Sequence, residues 1–338
     1  MKHWTASEIA FLRELRERFL SATADGRDYW KSEAELALYD ATFGERIGWK
    51  WDAILAELVA RGWRPRSRRA LEWGCGSGVA GRRVLAQWPH LDSLALHDRS
   101  PLARRFAAQR ARAEHPRVTI CETSDVGPDT LLVISHVLNE LSASELTSII
   151  ARARQAQEII WVEAGTHLDS RRLITEVRES LLPEFAVVAP CTHQARCGVL
   201  ATENAPHWCH HFAPVPSAIF QDARWAEFAR ELGIDLRALP YSFLVLERGV
   251  TFMQTAGFSR VIGRPREAKG FTRVLSCQAE SVAEFVLQKR DAPDLFRAFH
   301  KGTAESTYRW QIENGRIVEA EPLRQGETAR GLSDAAGA

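Results

Sequence analysis

The sequence predicts an α/β protein with a parallel β-sheet, preceded by a helical region and followed by a cysteine-rich segment. Short apolar runs alternate with helical stretches from Ala70 onward, the pattern of βαβ units. A glycine-rich turn covers residues 74–78, where the first of these runs ends. Three of the six cysteines fall in one stretch without apolar periodicity. At 338 residues and 45% hydrophobic composition, the chain can bury a large core.

The first 65 residues predict helices only. Apolar residues recur three and four positions apart, and Gly62 is a stop signal. The predicted helices cover residues 7–20, 31–43 and 51–61.

The elements of the sheet follow from the apolar runs after Ala70. Predicted strands cover residues 69–73, 93–98, 118–122, 130–135 and 159–163, with helices between them and another helix at 169–182. Residues 189–216 show no periodicity. A helix at 217–232, a strand at 241–247 and short hairpin strands at 259–262, 272–277 and 282–288 follow. The predicted regions are therefore 1–65, 66–188, 189–216, 217–250, 251–323 and a disordered, Gly/Ala/Ser-rich tail at 324–338.

The charge composition limits the possible partners. A net charge of +1 argues against general nucleic-acid binding, so any RNA contact must be local. The chain has 38 arginines and 6 lysines. This excess reflects either phosphate binding, since a guanidinium can donate two hydrogen bonds to one phosphate, or the codon usage of a GC-rich genome. Five arginines cluster around Pro65 and are the candidate RNA contact: Arg61, Arg64, Arg66, Arg68 and Arg69. No apolar run reaches the length of a membrane span and no secretory signal is seen, so we expect a cytoplasmic protein.

The glycine-rich turn is the candidate cofactor site. Gly74, Gly76 and Gly78 let the backbone turn tightly and lie against a ligand. With Glu72 before it, the run resembles the first motif of S-adenosylmethionine-dependent methyltransferases, which implies that Glu72 faces the methionine end, directly or through water. Asp98, at the end of the second strand, would accept the ribose hydroxyls, and Asp125 would face the adenine amino group. The alternative is a doubly wound sheet that has lost its cofactor.

The residues after the fourth and fifth strands argue against two familiar methyltransferase chemistries. Ser135 to Leu141 lack the Asn/Asp-Pro-Pro-aromatic motif of amino-methylating enzymes. The Pro-Cys pair at Cys191 follows the fifth strand, which is the wrong place for a cytosine-C5 nucleophile. His136, Asn139 and Glu140 remain weak candidates for acid-base or positioning roles, although Asn139 and Glu140 could equally cap the next helix.

The cysteines outside the sheet are the candidate metal ligands. Cys191, Cys197 and Cys209 lie in the unpatterned stretch and Cys277 on a late strand, with five, eleven and sixty-seven residues between them. This loose spacing favours a cluster over a compact zinc knuckle, while His193 and His210 keep zinc as the alternative. Without an export signal a disulfide framework is not expected. Cys75 and Cys121 are predicted to be small, buried structural residues.

The sequence resembles the mitochondrial small-ribosomal-subunit methyltransferase-like assembly factors and their bacterial relatives. The matching stretches are 71–78, 135–141, 162–166, 189–197, 208–210, 241–248, 260–262 and Cys277. This resemblance implies a Rossmann-like, seven-stranded class I methyltransferase fold that binds S-adenosylmethionine. It also implies a 4Fe-4S cluster on the four cysteines and association with the small ribosomal subunit or its rRNA during ribosome biogenesis.

Two functional hypotheses follow, because the resemblance does not imply catalysis. The chain is either a SAM-binding assembly factor with an iron-sulfur cluster or an active RNA methyltransferase with a structural zinc site. We expect a monomer that does not bind membranes.

Overall fold

The computed structural model describes residues 3–21, 30–252, 257–279, 281–323 and 330–331. The chain forms two compact units. The first unit comprises residues 1–56, 65–163 and 212–241, and the second unit comprises residues 57–64, 164–211 and 242–338. None of the helices in the described ranges is long and apolar enough to cross a bilayer.

Three helices open the chain, as predicted. They are α1 (Ala6–Ser21), α2 (Glu33–Tyr39) and α3 (Glu45–Ala60). A π-helical turn, Asp40–Gly44, joins α2 directly to α3, so α3 begins six residues before the predicted start. Leu15, Trp30 and Leu36 pack with Phe106 in one apolar cluster of the first unit.

The sheet of the first unit is parallel. Its strands are β1 (Arg69–Trp73), β2 (Ser93–His97), β3 (Thr119–Glu122), β4 (Thr130–Ser135) and β5 (Glu158–Glu163), in the order β3-β2-β1-β4-β5. Helices α4 (Val79–Gln87), α5 (Pro101–Glu114) and α6 (Ala143–Ala153) connect them. The order reverses between β1 and β4, and ligands of such sheets bind beyond the strand ends at this switch point. All five strands agree with the prediction within one residue at either end.

A shorter helix than predicted completes the first unit. The predicted helix over 217–232 is a 3₁₀ turn, Ser217–Gln221, followed by α7 (Ala223–Leu232). Asp222 separates them because its backbone is extended and its side chain accepts from the Arg224 N–H, capping α7.

The predicted helical run lies in the second unit and comprises α8 (His167–Arg172), a π-helical turn (Leu173–Arg178) and α9 (Glu179–Leu181). Strand β6 (Phe185–Ala189) pairs antiparallel with β8 (Pro240–Arg248), and β7 is the two-residue His211–Phe212. Strand β6 was not predicted, because an apolar run of five residues between Pro183 and Pro190 is too short for its periodicity to identify a strand.

A second sheet lies in the C-terminal part of this unit. Its strands are β10 (Phe258–Val261), β11 (Arg266–Ala268), β12 (Phe271–Cys277), β13 (Val282–Gln288), β14 (Thr307–Glu313) and β15 (Arg316–Pro322). Their order is β10-β14-β15-β13-β12-β11, and β10 also pairs with β12, so five strands close on themselves. Helix α10 (Pro293–Lys301) precedes β14. The β-rich prediction is confirmed, but α10, β14 and β15 were not predicted.

The predicted disordered tail falls mostly outside the described residues, which exclude 324–329 and 332–338. Between these ranges, Arg330–Gly331 form the short strand β16, paired with β9 (Thr251–Phe252).

Candidate functional site

The glycine loop between β1 and α4 has the backbone that its sequence predicts. Gly74, Gly76 and Gly78 have φ of 69°, 50° and 77°, in the left-handed region that favours glycine. A Cβ on Gly74 would lie 2.6 Å from the Val137 side chain, and one on Gly78 would lie 2.8 Å from the Ala107 Cβ. Beside Gly76 there is open space. Close packing thus fixes the two outer glycines, and the middle one leaves room for a ligand.

Asp98 lies where β2 ends and holds this loop. Its Oδ2 accepts from the Gly76 N–H and its Oδ1 from the Ser100 N–H, both at 2.9 Å. Burial raises the pKa of Asp98, although the two bonds act in the opposite direction. A carboxylate offers about four acceptor sites, so the loop contact leaves capacity for ligand hydroxyls. The structure therefore brings Asp98 to the loop; its ribose role stays a prediction.

Glu72 makes a different contact. Its carboxylate is 1% exposed, and Oε2 accepts from the Gly81 N–H in the first turn of α4 at 3.0 Å. A Cβ on Gly81 would lie only 2.5 Å from this oxygen, so the glycine is needed for the contact. Burial raises the pKa of Glu72 to about 8. The observed partner of Glu72 is the helix, and contact with the methionine end of a cofactor stays a prediction.

The other sequence candidates of the first unit lie in simpler surroundings. Asp125 is exposed, and its backbone carbonyl accepts from Arg69 at 2.9 Å. Cys75 is buried as predicted. Cys121 is exposed, so the prediction of burial is wrong; it lies on β3, at the edge of the parallel strands, where a side chain can face solvent.

His136 is strained and partly buried at the end of β4. Its φ is 57°, unusual for a residue with a side chain, and its N–H donates to the Val162 carbonyl at 2.8 Å. Its Nε2 lies 3.0 Å from the Lys50 Nζ, and its Nδ1 lies 3.2 Å from the Ser135 Oγ. An ammonium group can only donate, so Nε2 is the acceptor and Nδ1 carries the proton. Burial and the Lys50 charge hold the pKa of His136 well below its usual range, so the imidazole is neutral at pH 7.

Asn139 and Glu140 have structural partners. The Asn139 Nδ2 donates to the Phe19 carbonyl at 3.2 Å, and Glu140 forms an ion pair with Arg99 at 3.1 Å. The alternative that they cap the next helix is wrong, because α6 begins with a capping box in which Ser142 is the N-cap.

The arginine cluster around Pro65 is not a single exposed patch. Arg61 is 8% exposed and donates to the carbonyls of Val188 and Pro190, at 3.2 and 3.1 Å. The prediction that Arg61 contacts RNA is therefore wrong, because its guanidinium is buried in the second unit. Arg68 remains exposed and pairs with Asp92 at 2.9 Å.

Three of the four predicted ligand cysteines share one apolar cluster of the second unit, and Cys191 lies near enough for its charge to act on them. Cys197 and Cys277 are buried in one apolar cluster, against which Cys209 packs. Burial raises the pKa of Cys197 to about 11, and the charge of Cys191 adds to the rise. Burial, followed by the charge of Cys191, likewise raises the pKa values of Cys209 and Cys277. Four thiolates at this site would repel one another unless a cation were bound. Within the described part of the chain, no three His, Cys, Asp or Glu residues form a group that could hold a metal ion.

Two histidines contact these thiols. The His193 Nε2 lies 3.8 Å from the Cys277 Sγ, and the His211 Nε2 lies 3.8 Å from the Cys209 Sγ. His210, which the zinc alternative invoked, instead stacks on Trp208 with ring centroids 4.3 Å apart.

Buried arginines complete the surroundings. Arg178 is 2% exposed; its Nη2 donates to the Ala195 carbonyl at 2.7 Å, its Nη1 pairs with Glu179 at 2.5 Å, and its buried Nε has no hydrogen-bond partner in the described structure. Arg260, also 2% exposed, forms a two-pronged ion pair with Glu57. No local motif in the sequence points to Arg178, Arg260 or His211 as site residues, because these positions lie far apart along the chain.

Five parallel strands in the order β3-β2-β1-β4-β5, with a glycine loop after β1 and a carboxylate after β2, define a Rossmann-like fold of the class I methyltransferase type. The profile of the family described as mitochondrial small ribosomal subunit Rsm22 matches residues 51–306. The chain belongs to this family, and the resemblance seen in the sequence is confirmed.

Solved structures similar to the chain include a candidate RNA methyltransferase from Pyrococcus horikoshii, at 8% identity and a TM-score of 0.37 over 59% of this chain and 83% of the other. A candidate O-methyltransferase from Nostoc punctiforme matches at 11% identity and a TM-score of 0.38, over 71% and 70% of the two chains. Among curated proteins nothing matches the chain.

Proposed function

We propose that this chain is a SAM-binding, methyltransferase-like assembly factor that acts on or near small-subunit rRNA and holds a 4Fe-4S cluster. The main support for the proposal is family membership, because the description of the family names the small ribosomal subunit. That description is mitochondrial, whereas the sequence predicts a cytoplasmic location for this chain, which stays a prediction.

The glycine loop supports the cofactor part of the proposal. Gly76 borders open space, and Asp98 beside it keeps acceptor capacity. The backbone of Gly74, Gly76 and Gly78 would contact the cofactor, and Asp98 would accept its ribose hydroxyls. When bound, S-adenosylmethionine supplies an electrophilic methyl group. Glu72 would act indirectly, by holding the start of α4 and thereby the loop.

The contacts after β4 favour a binding role over catalysis. A general base needs a free acceptor atom, and the His136 Nε2 already accepts from Lys50 at 3.0 Å. Asn139 and Glu140 are engaged with Phe19 and Arg99. All three weak catalytic candidates therefore have structural partners, and we propose that the cofactor stabilises a shape that docks on rRNA.

The donors of the second unit support the metal part. Cys191, Cys197, Cys209 and Cys277 supply four thiols, and the buried Nε–H of Arg178 would gain an acceptor from an anionic group between them. Thiolate ligands suit either an iron-sulfur cluster or tetrahedral zinc. We favour the cluster because the ligands are loosely spaced along the chain, and zinc remains the alternative.

One preparation tests the metal. Protein purified without oxygen should be brown, with broad absorption near ~400 nm, and should contain iron. Replacing Cys277 by Ser should remove the iron, and Cys121→Ser, the matched control outside the site, should keep it. A colourless protein with one zinc per chain would contradict the cluster and support the zinc alternative.

A second set of experiments tests the ribosomal role. The protein should sediment with small ribosomal subunits, and calorimetry should detect S-adenosylmethionine binding. Incubation with labelled S-adenosylmethionine and small subunits should leave the rRNA unlabelled. Label transfer that His136→Ala abolishes and Asp294→Ala, a control at an exposed residue outside both sites, preserves would establish the enzyme hypothesis instead. Failure to bind small subunits would contradict the proposal.

A further inference from the structure

The C-terminal sheet of the second unit closes into a five-stranded barrel. Strand β10 pairs antiparallel with β12 and β14, β12 pairs antiparallel with β13, and β13 pairs parallel with β15. Strands β14 and β15 form a hairpin, and α10 lies between β13 and β14 in the chain. This is the connectivity of the OB-fold, with β10, β12, β13, β14 and β15 as its first to fifth strands. OB-folds bind oligonucleotides and oligosaccharides on their second and third strands and on the adjoining loops.

The outer face of β12 and β13 follows from the alternation of their side chains. Val274 and Leu287 are fully buried in the apolar core of the barrel. Arg273 of β12 and Val286 of β13, each one position away, are paired in register and therefore face outward. At the other end of β12 this face is covered, because Cys277 is buried in a separate apolar cluster. The accessible part of the face is the end around Arg273.

Three arginines form a row across this accessible end. Strand register places Arg266 of β11 opposite Arg273 of β12. Val286 of β13 is next in the row, and Arg316 of β15 lies opposite it. Neighbouring strands are about 4.8 Å apart, so the row extends for about 14 Å. Its two ends adjoin the loops that OB-folds use, since β11 lies between the first two barrel strands and Arg316 begins the fifth.

Carboxylates neutralise the row only in part. Arg266 and Arg273 share Glu284 of β13, which lies 2.9 Å from the Arg273 guanidinium. Arg316 pairs with Asp291 at 3.3 Å. Three arginines against two carboxylates leave one positive charge in excess. The side chains of Arg266 and Arg273 are 66% and 50% exposed, so both can reach a phosphate and donate two hydrogen bonds to it.

Loop lysines and an aromatic ring adjoin the arginine row. Lys269, in the turn before β12, and Lys289, just after β13, are both exposed. The Lys289 N–H donates to the Gly270 carbonyl at 3.3 Å, so the two loops meet at one end of the face. Phe271 lies on the same side of β12 as Arg273, is partly exposed, and has its ring centroid 5.8 Å from that guanidinium. Positive charge beside an aromatic ring is what single-stranded nucleic acids bind, because phosphates follow the charge and bases stack on the ring.

We propose that the outer face of β12 and β13 binds single-stranded RNA, with phosphates on the arginine row and a base stacked on Phe271. The row favours a nucleic acid over a neutral oligosaccharide, which would leave its charge unmatched. Phe271 favours a single strand, because a duplex hides the faces of its bases. The choice of RNA over DNA rests on the proposed function. A face of this kind also agrees with the net charge of +1, which requires any RNA contact to be local.

Fluorescence anisotropy of the full chain with a labelled uridine oligonucleotide of about 12 residues tests the face. Arg273→Gln should weaken binding roughly tenfold and reduce the slope of log affinity against log salt by about 0.7, the share of one phosphate. Phe271→Ala should weaken binding roughly tenfold, whereas Phe271→Trp, which keeps a stacking surface, should bind like wild type. Arg309→Gln is the control, because Arg309 of β14 is also half exposed and pairs with a carboxylate, Glu321, at 2.8 Å.

The shared carboxylate gives a test in the opposite direction. Glu284→Gln frees two arginines of the row, so RNA affinity should rise roughly two- to fivefold. A misfolded variant cannot produce such a gain. Glu321→Gln removes the same charge beside Arg309, outside the row, and should leave the affinity unchanged.

The outcomes separate this inference from the proposed function. Equal RNA affinity in wild type, Arg273→Gln and Glu284→Gln refutes the inference, as does a duplex that binds as tightly as the single strand. A DNA strand that binds more tightly overturns the choice of RNA. If Arg273→Gln no longer sediments with small subunits but keeps its affinity for the oligonucleotide, the face binds a ribosomal protein instead. A chain that binds the oligonucleotide through this face and does not bind small subunits refutes the proposed function alone.

Discussion

The buried carboxyl of Glu72 predicts an unusual dependence of stability on pH. Burial raises the pKa of Glu72 from 4.5 to about 8 in the folded protein. Between pH 4.5 and about pH 8, the Glu72 carboxyl is therefore protonated in the folded state and ionised in the unfolded state. The contribution of Glu72 to the free energy of unfolding is fully present below pH 4.5 and is lost as the pH rises toward 8. This is opposite to the usual behaviour of a carboxylate with a lowered pKa.

The size of the effect follows from the shift. One pKa unit corresponds to about 1.4 kcal/mol. Between about pH 5 and about pH 7.5 the folded state retains most of its extra proton, so about 3 kcal/mol of stability should be lost. Glu72→Gln removes this titration and keeps an oxygen that can accept from the Gly81 N–H. Its added amide donors change stability by a constant amount, which cancels when the two pH values are compared.

Urea unfolding of both proteins at the two pH values measures the difference. The stability of Glu72→Gln relative to wild type should rise by about 3 kcal/mol from about pH 5 to about pH 7.5. Glu145→Gln is the control, because hydrogen bonds from Ser142 lower the pKa of Glu145 and its stabilising effect is lost only on acidification. A difference between wild type and Glu72→Gln that stays constant over this interval would refute a raised pKa at Glu72.

Three further predictions concern the two candidate sites. Asp98→Ala should weaken S-adenosylmethionine binding by roughly ten- to hundredfold in calorimetry, because a charge-assisted bond contributes about 1.5–3 kcal/mol; unchanged affinity would place the ribose elsewhere. Chelation of the metal should increase proteolysis of residues 164–211 and 242–323 together, whereas Cys121→Ser should be as resistant as wild type. Glu57→Gln should destabilise the protein by about 3–5 kcal/mol in urea, because Arg61 and Arg260 lose their buried carboxylate; a loss below ~1 kcal/mol would show that other groups compensate them.

The parallel sheet could be predicted because its signals are local. The strand covering residues 130–135 was predicted to the residue, since an uninterrupted apolar run is what a strand buried on both faces requires. The interruption at Asp222 was less visible, because the apolar spacing continues across it and only the extended backbone of the cap breaks the helix. Strands β14 and β15 were missed because exposed residues alternate with half-buried ones, which weakens the pattern.

The candidate sites also contain residues that a local sequence signal predicts and residues that no local signal predicts. Gly74, Gly76 and Asp98 follow a short motif at strand ends, and the parallel sheet brings such positions together. The partner of Glu72 could not be predicted, because an acid before a glycine loop does not reveal whether it turns toward a ligand or toward the helix. Cys191, Cys197 and Cys209 were predicted as ligands because they share one unpatterned segment, and Cys277 on a late strand completes the predicted set. Their arginine and histidine neighbours depend on tertiary folding alone.

If the proposed metal centre is bound, the charges around the cysteines would link metal binding to the folding of the second unit. Burial raises the pKa of Glu57, but Arg260 and Arg61 outweigh it and lower that pKa to about 2, so one carboxylate is shared by two buried guanidinium groups. Arg178 adds a third buried cation, paired with Glu179. With all four thiols protonated, these three arginines and two carboxylates leave one positive charge in excess. The proposed anionic metal-thiolate centre would offset this excess, so metal binding and folding of the second unit would favour each other.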